Sequence, residues 1–342
     1  MSAIPATAPP RSTPPRPASS GPTLRASARV LLRQHRAALQ IAGALALVGI
    51  VVLVGFALRA AQVANTFAAD PCSPAGAGLE CSQTVRNYLD SMSQFSTVIG
   101  YGGLALIVLP GLVAAFVAGP MIAREFESGT YKVSWTQSVS PTHWLVAKLA
   151  VPAVLLLSGV SVLTAVYAWS RSRTSPEYPA DWYARPVFGA LGTMPVAYAL
   201  LGLALGVLTG LLINRTVPAM AVAVLATGAV AAVLTTVRSA LWPVRTAINT
   251  ASAGNGVDGD SWVLGTGRIT ADGSRLPMET CWERSHADEA RCLADHHVTG
   301  FWIDHHPASH FWPLQLVETG IVLVLTAAAI ALAFRVLRRR HA

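Results

Sequence analysis

The sequence predicts an all-α polytopic membrane protein: six transmembrane helices, with a small disulfide-stapled α+β extracellular insertion between helices five and six. Of the 342 residues, 53% are hydrophobic and only 12% charged, about half the charge of an ordinary soluble domain. Six apolar runs reach the roughly 20 residues that a helix needs to cross a bilayer core: Ala38–Leu58, Ser96–Gly119, Leu145–Trp169, Thr193–Ile213, Val217–Val237 and Leu314–Phe334. All four cysteines fall outside these runs.

Six crossings place both termini on one side, and charge decides which. With that side inside, the inside segments hold just over half of the 25 basic residues and, of the 17 acids, only Glu125 and Glu127. The flank Arg25, Arg29, Arg33, Arg36 and the tail Arg335, Arg338, Arg339, Arg340 carry the decision. Both termini are expected in the cytoplasm of a bacterial plasma membrane. Lys132 and Lys148 are the only lysines, an arginine bias that suits a GC-rich genome. The net charge of +8 lies at the chain ends and beside apolar runs, not in the clustered basic and aromatic surface that nucleic acid needs, so no nucleic-acid partner is expected.

Residues 1–23 are rich in Pro, Ser and Ala without an apolar period, and read as a disordered cytoplasmic tail. Residues 24–37 alternate arginine with Leu24, Ala28 and Leu32 in the pattern of an interfacial amphipathic helix. Crossings one to five fill 38–237, interrupted by a polar cytoplasmic loop at 120–144. The connector from Ser170 to Gly192 carries an aromatic belt. In crossing four, Gly202, Gly206 and Gly210 share one face as two small-xxx-small units, a helix-packing surface. The turn to crossing five is only Asn214-Arg215-Thr216.

Residues 238–312 form the extracellular insertion, with a turn at Ala271-Asp272-Gly273 between β-like runs Ser261–Val263 and Ser274–Leu276. A more helix-like stretch, Met278 to His297, follows. Residues 313–342 are the sixth crossing and a basic tail. Cys72, Cys81, Cys281 and Cys292 all lie in segments assigned outside, where disulfides persist. Four cysteines allow three connectivities, of which Cys72–Cys81 with Cys281–Cys292 is the local one. A continuous helix would hold Cys281 and Cys292 about 16 Å apart, beyond disulfide reach, so that pairing requires the chain between them to double back.

Catalytic patterns are missing. No GxxxxGK[ST] cradles ATP, no GxSxG elbow is present, and no cofactor is implied. His296, His297, His305 and His306 lie near Asp295 and Asp304, a set that resembles metal chemistry. With no HExxH or CxxC spacing and with Trp and Phe all around, they read instead as a solvated or interfacial cluster. Glu318, near the outer end of the last crossing, reads as a snorkelling or capping acid.

The loop is the most ordered polar stretch. Glu125 and Glu127 open it, Gly129-Thr130 re-aim the backbone, and Ser140-Pro141 start a helix that Trp144 and Lys148 anchor. This stretch, EFESGTYKVSWTQSVSPTHWLVAKL, resembles the signature loop of the type-two ATP-binding-cassette exporter permeases. The matching positions are Glu125, Glu127, Gly129, Thr130, Pro141 and Lys148. MPVAYALLGLALGVLTGLLINRTVPAM, DSWVLGTGRITADGSRLP and HHPASHFWPLQLVETG resemble a bacterial, particularly actinobacterial, subgroup. The resemblance implies a permease that pairs as a homodimer or with a second permease. Its 120–144 loop would couple to a separate ATP-binding subunit, and no catalysis would occur on this chain. The few buried charges favour hydrophobic or amphipathic cargo. The competing reading is a membrane receptor or resistance sensor whose outside domain binds a ligand without transport.

Overall fold

The computed structural model describes residues 29, 32–33, 36–73, 81–131, 140–250, 257–282 and 285–340. The predicted tail 1–23, most of the amphipathic segment 24–37 and the middle of the polar loop, 132–139, lie outside the described residues. The helices are α1 (Arg36–Ala68), α2 (Ser82–Ser128), α3 (Pro141–Arg171), the one-turn α4 (Arg185–Phe188), α5 (Met194–Ile213), α6 (Thr216–Val237), α7 (His286–Asp295) and α8 (Phe311–Arg339). All but α4 and α7 are long and apolar enough to cross a membrane.

Helix α2 begins well before its apolar run. Val85, Tyr88, Met92, Phe95 and Ile99 recur at helical spacing along one buried face. Of these, Tyr88, Met92, Phe95 and Ile99 form one cluster with Ala57 and Ala60 of α1 and Tyr167 of α3. Farther along, Pro110 removes a backbone donor, and the helix continues through a π-helical segment, Val113–Ala118. Such wide turns tend to occur where a helix is put to use.

Helix α5 is the hub, packed against α2, α3, α6 and α8. Its glycine face makes that possible. A side chain at Gly202 would collide with the Pro110 carbonyl of α2, and one at Gly206 with Ala118 Cβ. At Gly210 an added Cβ would come within 2.9 Å of Ile122. The three glycines therefore let α5 lie directly along α2 through its π-helical segment. Helix α1 is peripheral, contacting chiefly α2 and α3, and leaves Ile41, Leu45, Leu47 and Val51 exposed.

The insertion between α6 and α8 is a four-stranded antiparallel sheet with α7 against it. Its strands are β1 (Arg245–Thr250), β2 (Trp262–Thr270), β3 (Arg275–Pro277) and β4 (Val298–His306), in the order β1-β4-β2-β3. The predicted β-like runs correspond to the start of β2 and to β3. The turn between them has Gly273 at φ +84, and Asp272 accepts hydrogen bonds from Thr270 and Ser274. Asp304 of β4 accepts from Thr246 Oγ1 at 2.5 Å and from Arg275 at 2.8 Å, tying both sheet edges to the central strand. Those bonds, Thr246's first, hold the Asp304 carboxyl below the usual carboxylate range.

Both local disulfides are formed, Cys72–Cys81 and Cys281–Cys292, each with Cα atoms 5.5 Å apart. Cys281 lies outside α7, which starts only after Ser285 caps it by accepting from Ala287 and Asp288. The chain doubles back, as that pairing requires. Trp182 of the connector donates to the Asp260 carbonyl at 2.8 Å, and Tyr183 stacks on Trp262. The sheet is thereby sewn to the bundle. Burial against this seam pushes the Asp260 carboxyl up.

Candidate functional site

The end of the bundle opposite the sheet is a joint between four crossings. Helix α2 ends at Gly129, whose φ of +72 is the left-handed conformation that glycine takes without penalty. Helix α3 starts at Pro141, with Ser140 accepting from His143 N at 3.3 Å. These caps aim two glutamates in different directions. Glu125 Oε1 pairs with Lys148 Nζ at 2.5 Å, and its Oε2 accepts from Trp144 Nε1 at 3.1 Å. Lys148 is only 5% exposed, so this pair is shielded from screening and locks α2 to α3.

Glu127 instead reaches α6. Its Oε2 accepts from Thr216 N at 3.0 Å and from Thr216 Oγ1 at 2.6 Å. A carboxylate there satisfies an open donor at the helix start and complements its dipole. Thr130 exchanges a hydrogen bond with Ser128 at 2.9 Å, closing the turn. The tail of α8 joins as well. Arg340 donates to Asn214 Oδ1 at 2.8 Å and lies 5.6 Å from the Phe126 ring centre.

The structure thus brings together Glu125 with Lys148, and separately Glu127 with Thr216, while Gly129, Thr130 and Pro141 shape the backbone around them. Trp144 as a hydrogen-bond donor, Thr216 and Arg340 escaped sequence reasoning. Their partners lie 19, 89 and 126 residues away, and no local pattern signals such pairings.

Between α2 and α6 runs an apolar groove of about 820 Å³, within the size range of small-molecule sites. Its walls extend from Thr97 to Gly111 on α2 and from Val224 on α6 to Arg238 just past its end, roughly 21 Å at 1.5 Å per residue. The connector roofs one end with Arg185, Pro186 and Gly189. Its charged lining residues are Arg185 and Arg238, beside Tyr198, while Thr97, Tyr101, Thr227 and Thr235 add hydroxyls along the walls.

Behind that end lies a buried ion pair. Arg238 donates to Glu318 through Nε at 2.7 Å and Nη2 at 3.0 Å, and Tyr198 donates to the same carboxylate at 3.1 Å. Glu318 is 0% exposed. It is neither a snorkelling nor a capping acid, because α8 buries it between α5 and α6. The readable signal was a lone acid in one apolar run and a lone arginine ending another.

The histidines need a similar correction. His306 is fully buried, because β4 ends against the bundle. Its Nδ1 faces His310 Nδ1 at 2.9 Å, and its Nε2 faces the Ser239 carbonyl at 3.0 Å. His305 turns toward the Ile303 carbonyl, and His296 sits beside the Cys281–Cys292 disulfide, whose sulfurs are already bonded to each other. The structure therefore distributes His296, His305 and His306 among different surroundings. His297, at φ +50, ends the turn between α7 and β4.

No curated protein matches the chain. A family model described as "ABC-2 membrane transporter related" matches residues 41–238, a stretch that includes most of the first crossing, the next four, the α2, α3 and α6 parts of the joint and both walls of the groove. With more than half of its 342 residues matched, this multi-pass membrane protein belongs to the ABC-2 membrane transporter related family, the membrane components of ATP-binding-cassette transporters.

Proposed function

We propose that the chain is the membrane-spanning permease of an ATP-driven exporter in the plasma membrane of a bacterium, with both termini and the joint in the cytoplasm and the sheet outside. Hydrolysis takes place on a separate ATP-binding subunit. The permease functions as a homodimer or beside a second permease. Glu125, Glu127, Gly129, Thr130, Pro141 and Lys148 form the receiving surface for that subunit. The stretches resembling the actinobacterial subgroup support that narrower affiliation.

The observation that carries this reading is the divided grip of the two glutamates. Glu125 fastens α2 to α3, and Glu127 fastens α2 to α6. Helices α2 and α6 are also the two walls of the groove. A push on the joint therefore moves both walls of a cargo-sized space, the small displacement that a two-state bundle amplifies into alternating access. The apolar lining suits a hydrophobic or amphipathic cargo.

The test uses the permease co-expressed with its ATP-binding subunit. Glu127→Lys removes the acceptor for Thr216, and Gly129→Pro forbids the positive φ. Each variant is expected to insert normally and to lose transport and cargo-stimulated ATP hydrolysis. Wild-type coupling in both variants would end the coupling role. Purification of the wild-type permease free of any ATP-binding protein would favour a receptor.

A further inference from the structure

Among the described residues the groove's lining carries two charges, Arg185 and Arg238, and Arg185 has nothing to neutralise it. Arg185 opens α4 and is exposed. Among the described residues its guanidinium forms no hydrogen bond and no ion pair, whereas its neighbour Arg238 is bound to Glu318. The connector that carries Arg185 is not a surface loop. Pro186 presses its carbonyl against Gly103 of α2, and an added Cβ on Gly189 would come within 2.9 Å of Ile107. Gly103 and Ile107 lie roughly 10 to 16 Å inside the apolar run that begins at Ser96, at 1.5 Å per residue.

An irregular segment at such depth is tolerated where it is buried in protein or lines a cavity. A charge carried by it is costly, and such a charge marks a ligand or pathway by default. The rest of the groove continues away from Arg185 along Leu104, Val108 and Val224, a wall with no charge to match.

We infer that the groove takes an amphiphile with an acidic headgroup, its phosphate or carboxylate held by Arg185 at the sheet end and its acyl chain laid between α2 and α6. This rests on the groove being the cargo site, as proposed above. The guanidinium fork suits a two-oxygen anion, and the site's low dielectric strengthens the pairing.

The experiment places the full-length chain in phosphatidylcholine nanodiscs. It measures binding of a fluorescent lysophosphatidic acid and of a lysophosphatidylcholine with the same chain and fluorophore. Wild type is expected to prefer the acid by about tenfold or more, the worth of one charge-assisted hydrogen bond. Arg185→Gln abolishes the preference, and Arg185→Lys retains part of it, which separates a lost charge from a misfolded connector. Gly228 lines the groove with open space beside it, so Gly228→Leu weakens both probes. Equal affinities in wild type, or a preference that survives Arg185→Gln, would overturn the headgroup assignment and leave the groove as cargo site. Binding of both probes unchanged by Gly228→Leu would overturn the cargo site itself.

Discussion

Glu318 has all its charge consumed inside the bundle. One oxygen receives Arg238 Nη2 and the Tyr198 hydroxyl, the other receives Arg238 Nε, and Arg238 in turn rests 4.2 Å from the Phe188 ring centre. Two desolvated charges gain little net stability as a pair, but removing one leaves the other stranded. Glu318→Gln is therefore expected to destabilise the detergent-solubilised protein by about 3 kcal/mol, measured by thermal melting. Replacing both partners with apolar side chains, Glu318→Leu with Arg238→Met, should recover most of that loss. An unchanged melting temperature for Glu318→Gln would mean that the arginine finds water, contrary to its burial. In the sequence, each of these residues was a lone charge near the end of an apolar run. Their pairing was illegible because 80 residues separate them and only the packing of α6 against α8 through α5 makes them neighbours.

Helix α5 shows how a pattern becomes a contact. The repeat Gly202, Gly206, Gly210 was readable as a packing face, since small residues every four positions admit a second helix. Which helix would fill it was not readable, because the partner surface on α2 is a π-helical segment whose only sequence mark is Pro110. Gly206→Leu must displace Ala118 and is expected to lose at least 1–3 kcal/mol of stability by overpacking. Gly228→Leu, on a helix face with nothing within 4 Å, should melt as wild type does. Similar loss from both variants would show that side-chain bulk alone, not the α2–α5 contact, controls stability.

The insertion was partly legible for the same reason. Turn chemistry at Asp272-Gly273 marks the β2–β3 hairpin, whereas β4 mixes buried and half-buried positions without a clean alternation and so hid among its histidines. Arg185 was hidden too, because a connector rich in Pro, Trp and Tyr reads as an interfacial belt. The contacts of Pro186 with Gly103 and of Gly189 with Ile107 reveal that the chain dips inward.

In the proposed mechanism the whole molecule works as a lever, with its joint and its groove on the same two helices. The sheet is stitched to the connector through Trp182 and to the turn after α6 through the Ser239 carbonyl; in that mechanism it braces the far end, and motion introduced at Glu127 is delivered along α2 and α6. All four native cysteines are taken up in disulfides, which leaves introduced cysteines as the only sites for spin labels. Labels at Tyr101→Cys on α2 and Gly228→Cys on α6 sit on the two walls of the groove. Their distance distribution should be recorded by pulsed electron paramagnetic resonance in nanodiscs containing the ATP-binding subunit, with and without trapped ATP. The two states are expected to give distinct distances in the wild-type background and one common distance with Glu127→Lys. An identical distribution in both states, while ATP is being hydrolysed and cargo moved, would contradict a groove driven from the joint.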